Sequence, residues 1–123
     1  MNPEKNFMTF ESKKENPNFH GVYDIEPQEL NTKLNQVKLI DVRQPDEFIG
    51  ELGHIPNAEL VALGTLPEKI KNIPQDQTVV FVCKSGGRSA QATAFALMNG
   101  FSHVYNLRGG MMLWNQLSLP ATK

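Results

Sequence analysis

Short apolar runs alternate with stretches of helical periodicity along most of this chain, and the alternation is regular from Val22 onward. Five runs predict strands: Val22 to Ile25, Val37 to Val42, Glu59 to Ala62, Thr78 to Val82 and Val104 to Leu107. Helical patterns lie between them. One opens at Glu26-Pro27, a short one runs from Pro45 to Phe48, and longer ones cover Leu66 to Ile73, Ser89 to Asn99 and Gly110 to Leu117. A proline near the first position and acids in the first turn start the first two. Pro74, Gly100 and Pro120 stop the last three.

Strands that are apolar throughout bury both faces, and strand–helix alternation joins parallel neighbours through crossovers. The pattern therefore predicts an α/β domain over residues 21–120, with a five-stranded, mainly parallel sheet and helices on both faces. Residues 1–20 are polar, hold Pro3 and Pro17, and show little periodicity. They read as an N-terminal arm, flexible unless Phe7, Met8, Phe10 and Phe19 tie it to the domain.

In open parallel sheets, sites form beyond the carboxyl ends of the strands. Three groups fall there: Asp41 with Arg43, Cys83, and Arg108-Gly109-Gly110. Arg43 stands four residues before Glu47, a spacing open to an ion pair, and Asp41 is placed to bond neighbouring backbone. Both read as support for a site rather than as its chemistry.

Composition narrows the setting. Twelve basic and 13 acidic residues leave a formal net charge of −1, so no global charge recruits nucleic acid or an anionic membrane. One cysteine permits no internal disulfide, which suits a reducing, cytoplasmic location. Met1 to Asn6 lacks the apolar core of a secretory signal. His20, His54 and His103 show no ligand spacing, so no metal site is expected.

Cys83 ends the most strongly β-like run and is followed by Lys84-Ser85-Gly86-Gly87-Arg88-Ser89, after which an alanine-rich helix begins. A helix N-terminus presents unpaired N–H groups and the positive end of its dipole, and so favours an anion such as a thiolate. Gly86 and Gly87 let successive N–H groups turn inward, Lys84 and Arg88 add positive charge, and Ser85 and Ser89 can donate hydrogen bonds. Ser89 is also a candidate N-cap. A lone cysteine is more often an inert core residue, but such a residue gains nothing from this loop.

Cys83 to Ser89 resembles the active-site loop of single-domain rhodaneses, the thiosulfate sulfurtransferases. The resemblance runs over about residues 22–117. Leu39-Ile40-Asp41-Val42-Arg43, Glu47-Phe48 and Gly53-His54-Ile55-Pro56-Asn57-Ala58 resemble the family's first signature, and Arg108 to Trp114 its last. It implies a rhodanese-like fold and a two-step transfer without metal or organic cofactor. Cys83 takes the outer sulfur of thiosulfate, releases sulfite and holds a persulfide that cyanide or a thiol then discharges. Lys84, Ser85, Gly86, Gly87, Arg88 and Ser89 would bind the donor and cradle the persulfide. Partners are thus a small sulfur donor and a small acceptor, with a sulfur-acceptor protein as a further candidate. The alternatives are a sulfur-relay or regulatory docking module and a cysteine-dependent phosphatase or arsenate reductase. Arg88 follows Cys83 by five positions, whereas related phosphatases commonly place arginine at six, so the shorter ring favours one sulfur atom over a tetrahedral oxyanion. Within the resemblance, His54 is expected to fix its turn, Trp114 to pack the last helix, and Met111 and Met112 to line the pocket mouth or fill gaps.

Overall fold

The apolar run ahead of Cys83 forms β5 (Val79–Val82), and every residue of it is buried. The computed structural model describes residues 7–123. Around β5 lie β1 (Lys14–Glu15), β2 (Tyr23–Ile25), β3 (Lys38–Asp41), β4 (Glu59–Leu60) and β6 (Val104–Leu107), in the spatial order β1-β2-β6-β5-β3-β4. All neighbours are parallel except β1 and β2. The helices are α1 (Pro27–Asn31), α2 (Pro45–Phe48), α3 (Leu66–Lys69), α4 (Gly87–Met98) and α5 (Gly110–Gln116). Among the described residues no helix is long and apolar enough to cross a membrane.

Side chains alternate across a strand, so an all-apolar β5 feeds two cores at once. Val79 and Phe81 pack with Ala92 and Ala96 of α4 and Leu66 of α3. Val80 and Val82 pack with Leu30 of α1 and Met111 and Trp114 of α5. Trp114 is fully buried, and its indole N–H donates to the Pro120 carbonyl at 2.8 Å. The helices therefore cover both faces, as the apolar patterning requires.

The sheet has six strands rather than the expected five. The additional one is β1, which pairs antiparallel with β2 through Lys14↔Asp24 and Glu15↔Tyr23. Its two residues are exposed and charged. Nothing in their pattern marks a strand, because edge pairing uses backbone groups alone. The 59–62 strand shrinks to Glu59–Leu60, and the 66–73 helix tightens after Lys69 into a 3-10 turn, Ile70–Asn72.

The described part of the N-terminal segment is held at several points. Phe10 is buried against Tyr105 in an edge-on pair, Phe7 stacks on His103, and the Met8 N–H donates to Thr78 Oγ1. Glu29 on α1 accepts from the Glu11 and Ser12 amides, the Ser12 hydroxyl and Lys33 Nζ. Burial alone pushes the Glu29 carboxyl up, but the bonds from Lys33, Ser12 and Glu11 outweigh it and hold the carboxyl at about 2. A carboxyl lowered on folding stabilises above its unfolded value of about 4.5, and that contribution disappears as pH falls through about 2. Amide exchange at Glu11 and Ser12 is therefore expected to accelerate, relative to the core, between these pH values. Glu29→Gln should show the faster exchange already at neutral pH, measured residue by residue by NMR. Unchanged protection in that variant would remove Glu29 as the clasp.

Candidate active site

β5 ends at Val82, and the next residue, Cys83, is 1% exposed. The chain then turns sharply enough to reach a helix within four residues. Gly86 makes this turn with φ at +110°, a conformation closed to most side chains. Its N–H thereby donates to the Cys83 Sγ at 3.0 Å. α4 begins at Gly87, two residues before the expected start, so Gly86 rather than Ser89 is the N-cap. Ser89 instead lies buried in the first turn, where its hydroxyl donates to the same sulfur at 3.2 Å. The sulfur thus has two donors, and α4 adds the first-turn amides of Gly87, Arg88 and Ser89, which a helix leaves without intrahelical partners. The arrangement favours negative charge at one point.

Two other segments hold the loop. The Met111 and Met112 amides of α5 donate to the carbonyls of Cys83 and Lys84 at 2.8 and 2.9 Å. This contact requires Gly110, where φ is +55° and a Cβ would lie 2.4 Å from the Cys83 carbonyl oxygen. Gly110→Ala is expected to lower stability by about 1–3 kcal/mol through strain and to displace the loop. Urea unfolding, together with the loss of the Met111 and Met112 amide protection, measures it. From β6, buried Asn106 donates through Nδ2 to the Gly86 carbonyl and to Asp24 Oδ1. Sequence reasoning missed Asn106, because an asparagine inside an apolar strand announces no partner until the strands are placed.

Asp41 and Arg43 form a buried ion pair at the end of β3, 0% and 1% exposed. The guanidinium donates to both carboxylate oxygens and also to the Gly53 and Glu47 carbonyls. The expected Arg43–Glu47 side-chain pair does not form. Arg43 reaches only the Glu47 backbone, and the Glu47 carboxylate turns instead to Arg88, bonded to Nη1 at 2.8 Å and Nη2 at 2.9 Å. The Arg88 guanidinium holds the Glu47 carboxyl at about 2 against the upward push of burial. Glu47 in turn raises Arg88 above its usual value. The positive charge expected from Arg88 is therefore already matched.

A pocket of about 350 Å³ opens beside the loop, lined by Asp46, Glu47, Glu51, Leu52, Lys84 and Met112 among others. Met112 is at this mouth, whereas Met111 is fully buried in the core. Lys84 and Ser85 are exposed on the loop. The His54 Nδ1 lies 2.7 Å from the Phe48 carbonyl as donor, and its ring stacks on Phe48, so the imidazole fixes the turn after α2.

The chain belongs to the Rhodanese-like domain family, whose description matches residues 26–117. A sulfurtransferase of Allochromatium vinosum is 37% identical over 102 residues, covering 80% of this chain and 94% of its own. YtwF of Bacillus subtilis, also named for sulfur transfer, is 40% identical over 102 residues, covering 80% and 96%. The crystal structure of a rhodanese-related protein from Thermoplasma volcanium superposes with a TM-score of 0.75 at 28% identity, covering 80% and 96% of the two chains. Family, fold and relatives together define a rhodanese-like sulfurtransferase.

Proposed function

We propose that Cys83 carries sulfane sulfur as a persulfide, taken from thiosulfate or a related donor and passed to a thiol or cyanide. The observation that carries this reading is the pair of donors converging on one sulfur, the Gly86 N–H at 3.0 Å and the Ser89 hydroxyl at 3.2 Å.

In the first step the Cys83 thiolate attacks the outer sulfur of thiosulfate. The new S–S bond forms as the old one breaks, and sulfite leaves with that bonding pair. In the second step an acceptor thiolate attacks the outer persulfide sulfur, and the Cys83 thiolate is the leaving group. Charge and electrons balance in both steps, so the chemistry calls for no external oxidant or cofactor. Donated hydrogen bonds stabilise Cys83 when it attacks and again when it leaves. The outer sulfur anion would meet the first-turn amides of α4, with Lys84 as the nearby cation and Ser85 at the rim. Gly86 and Gly87 keep the ring free of side chains. Arg88, held by Glu47, stiffens the ring; Asp41 and Arg43 brace the adjoining loop.

The depth of the sulfur supports a slim sulfur donor. A thiol 1% exposed is reached more readily by one terminal atom than by a tetrahedral oxyanion. With only one cysteine in the chain, an external acceptor must discharge the persulfide. Incubation with thiosulfate should add the mass of one sulfur atom and release one equivalent of sulfite. Excess cyanide or thiol should reverse the gain. Protein alkylated beforehand should do neither. No gain of mass over the alkylated control would overturn the proposal.

A further inference from the structure

Charge around the mouth is one-sided. Asp41 neutralises Arg43, and Glu47 neutralises Arg88. Asp46 and Glu51, both exposed, have no ionic partner among the described residues, and among the described residues that line the pocket Lys84 is the one cation not already paired. The mouth is thus net negative before any sulfur is loaded, and a persulfide anion on Cys83 would add a further negative charge. A small dianion approaches such a site against repulsion; a cationic segment approaches with attraction.

The rim is also apolar. Met112 is 44% exposed beside the mouth, and Ile49, next to the lining residue Gly50, is 64% exposed. Leu52 completes this side of the pocket. Exposed aliphatic side chains with carboxylates around them fit a partner that presents apolar and basic residues together. Lys84, the residue after Cys83, lines this pocket, so a partner seated there stands beside the loop that carries the sulfur. A thiol 1% exposed calls for an acceptor thiol on a narrow projecting side chain.

From these features we propose that the pocket beside Cys83 docks a protein acceptor, whose reactive cysteine stands in a segment of basic and aliphatic residues. Asp46 and Glu51 select its charge, and Ile49, Leu52 and Met112 seat its apolar side chains. This inference rests on the persulfide reading and names the acceptor class. The acceptor thiolate forms the new S–S bond, Cys83 departs as thiolate, and the acceptor leaves as the persulfide.

The test uses the full chain loaded by thiosulfate and freed of excess donor. Three synthetic single-cysteine peptides serve as acceptors, flanked by leucine with lysine, leucine with glutamate, or serine. Discharge is followed by loss of one sulfur's mass. The lysine peptide is expected to discharge Cys83 about tenfold or more faster than the glutamate peptide at low salt, with the advantage falling severalfold at about 0.5 M salt. Asp46→Lys with Glu51→Lys should reverse the order, and Asp46→Asn with Glu51→Gln should erase it. Met112→Ser should raise the peptide concentration needed for half-maximal rate while leaving the salt dependence intact. Equal rates for all three peptides, or a lysine preference that survives charge reversal, would overturn the proposal. Failure to load sulfur at the outset would instead remove the persulfide reading beneath it.

Discussion

Cys83→Ser is expected to take up no sulfur from thiosulfate and to lose sulfur transfer by about three orders of magnitude or more. The reason is chemical rather than structural. Serine keeps the size of the side chain and can still accept from the Gly86 N–H and the Ser89 hydroxyl, which lie 3.0 and 3.2 Å from the native sulfur. Its oxygen, however, is a poor nucleophile toward sulfane sulfur in the absence of an adjacent base, and none of the atoms bonded to Cys83 Sγ is one. Stability should change by no more than about 1–2 kcal/mol, because one buried atom is exchanged for a smaller one within an intact loop. The decisive comparison is intact mass and released sulfite for variant and parent under identical thiosulfate. Transfer retained in the serine variant would place the nucleophile elsewhere.

The second large effect concerns Arg43. Replacement by methionine conserves the apolar stem but removes every donor from a pocket in which Asp41 is fully buried. The Asp41 carboxylate then keeps only the Arg43 backbone N–H among its present partners, and the Gly53 and Glu47 carbonyls each lose a donor. Breaking a buried ion pair from one side costs about 3–5 kcal/mol, a large part of the stability of an ordinary domain. Urea unfolding of Arg43→Met should register a loss of that size. Asp41→Leu with Arg43→Met should recover a substantial part of it, since two apolar groups leave no uncompensated charge. If the single variant lost less than about 1 kcal/mol, the pair would not be what holds α2 and the Gly53 turn against β3. The same loss should appear at the site, because α2 carries the Glu47 that clamps Arg88.

Much of the fold can be read along the chain because it is local. Uniform apolarity in Val79–Val82 demands burial on both faces, and that alone places helices on either side of the sheet. The Cys83 loop is legible for the same reason, since the glycine turn, the thiol and the helix start occupy seven consecutive residues. Local pattern is weaker at boundaries. Ser89 satisfies the residue preference of an N-cap, yet Gly86 is the cap, because the tight turn at positive φ starts the helix earlier. β1 has no pattern to read at all; only the open edge of β2 makes Lys14–Glu15 a strand.

Charge pairing depends on space rather than spacing. Arg43 and Glu47 are four residues apart and well placed for each other on a helix, but α2 begins only at Pro45. Arg43 therefore lies before it and turns inward to Asp41, while Glu47 meets Arg88, 41 positions away, because β3 pairs with β5. The layered α/β domain and the thiol at a strand end before a helix were legible along the chain, since both follow from apolar periodicity and turn residues within short segments. Three-dimensional packing alone aims Gly86 and Ser89 at the sulfur, matches Arg88 with Glu47, and brings Lys84 to the same pocket as Asp46 and Glu51. Those outcomes depend on strand order and helix phase, which no single segment of the chain contains.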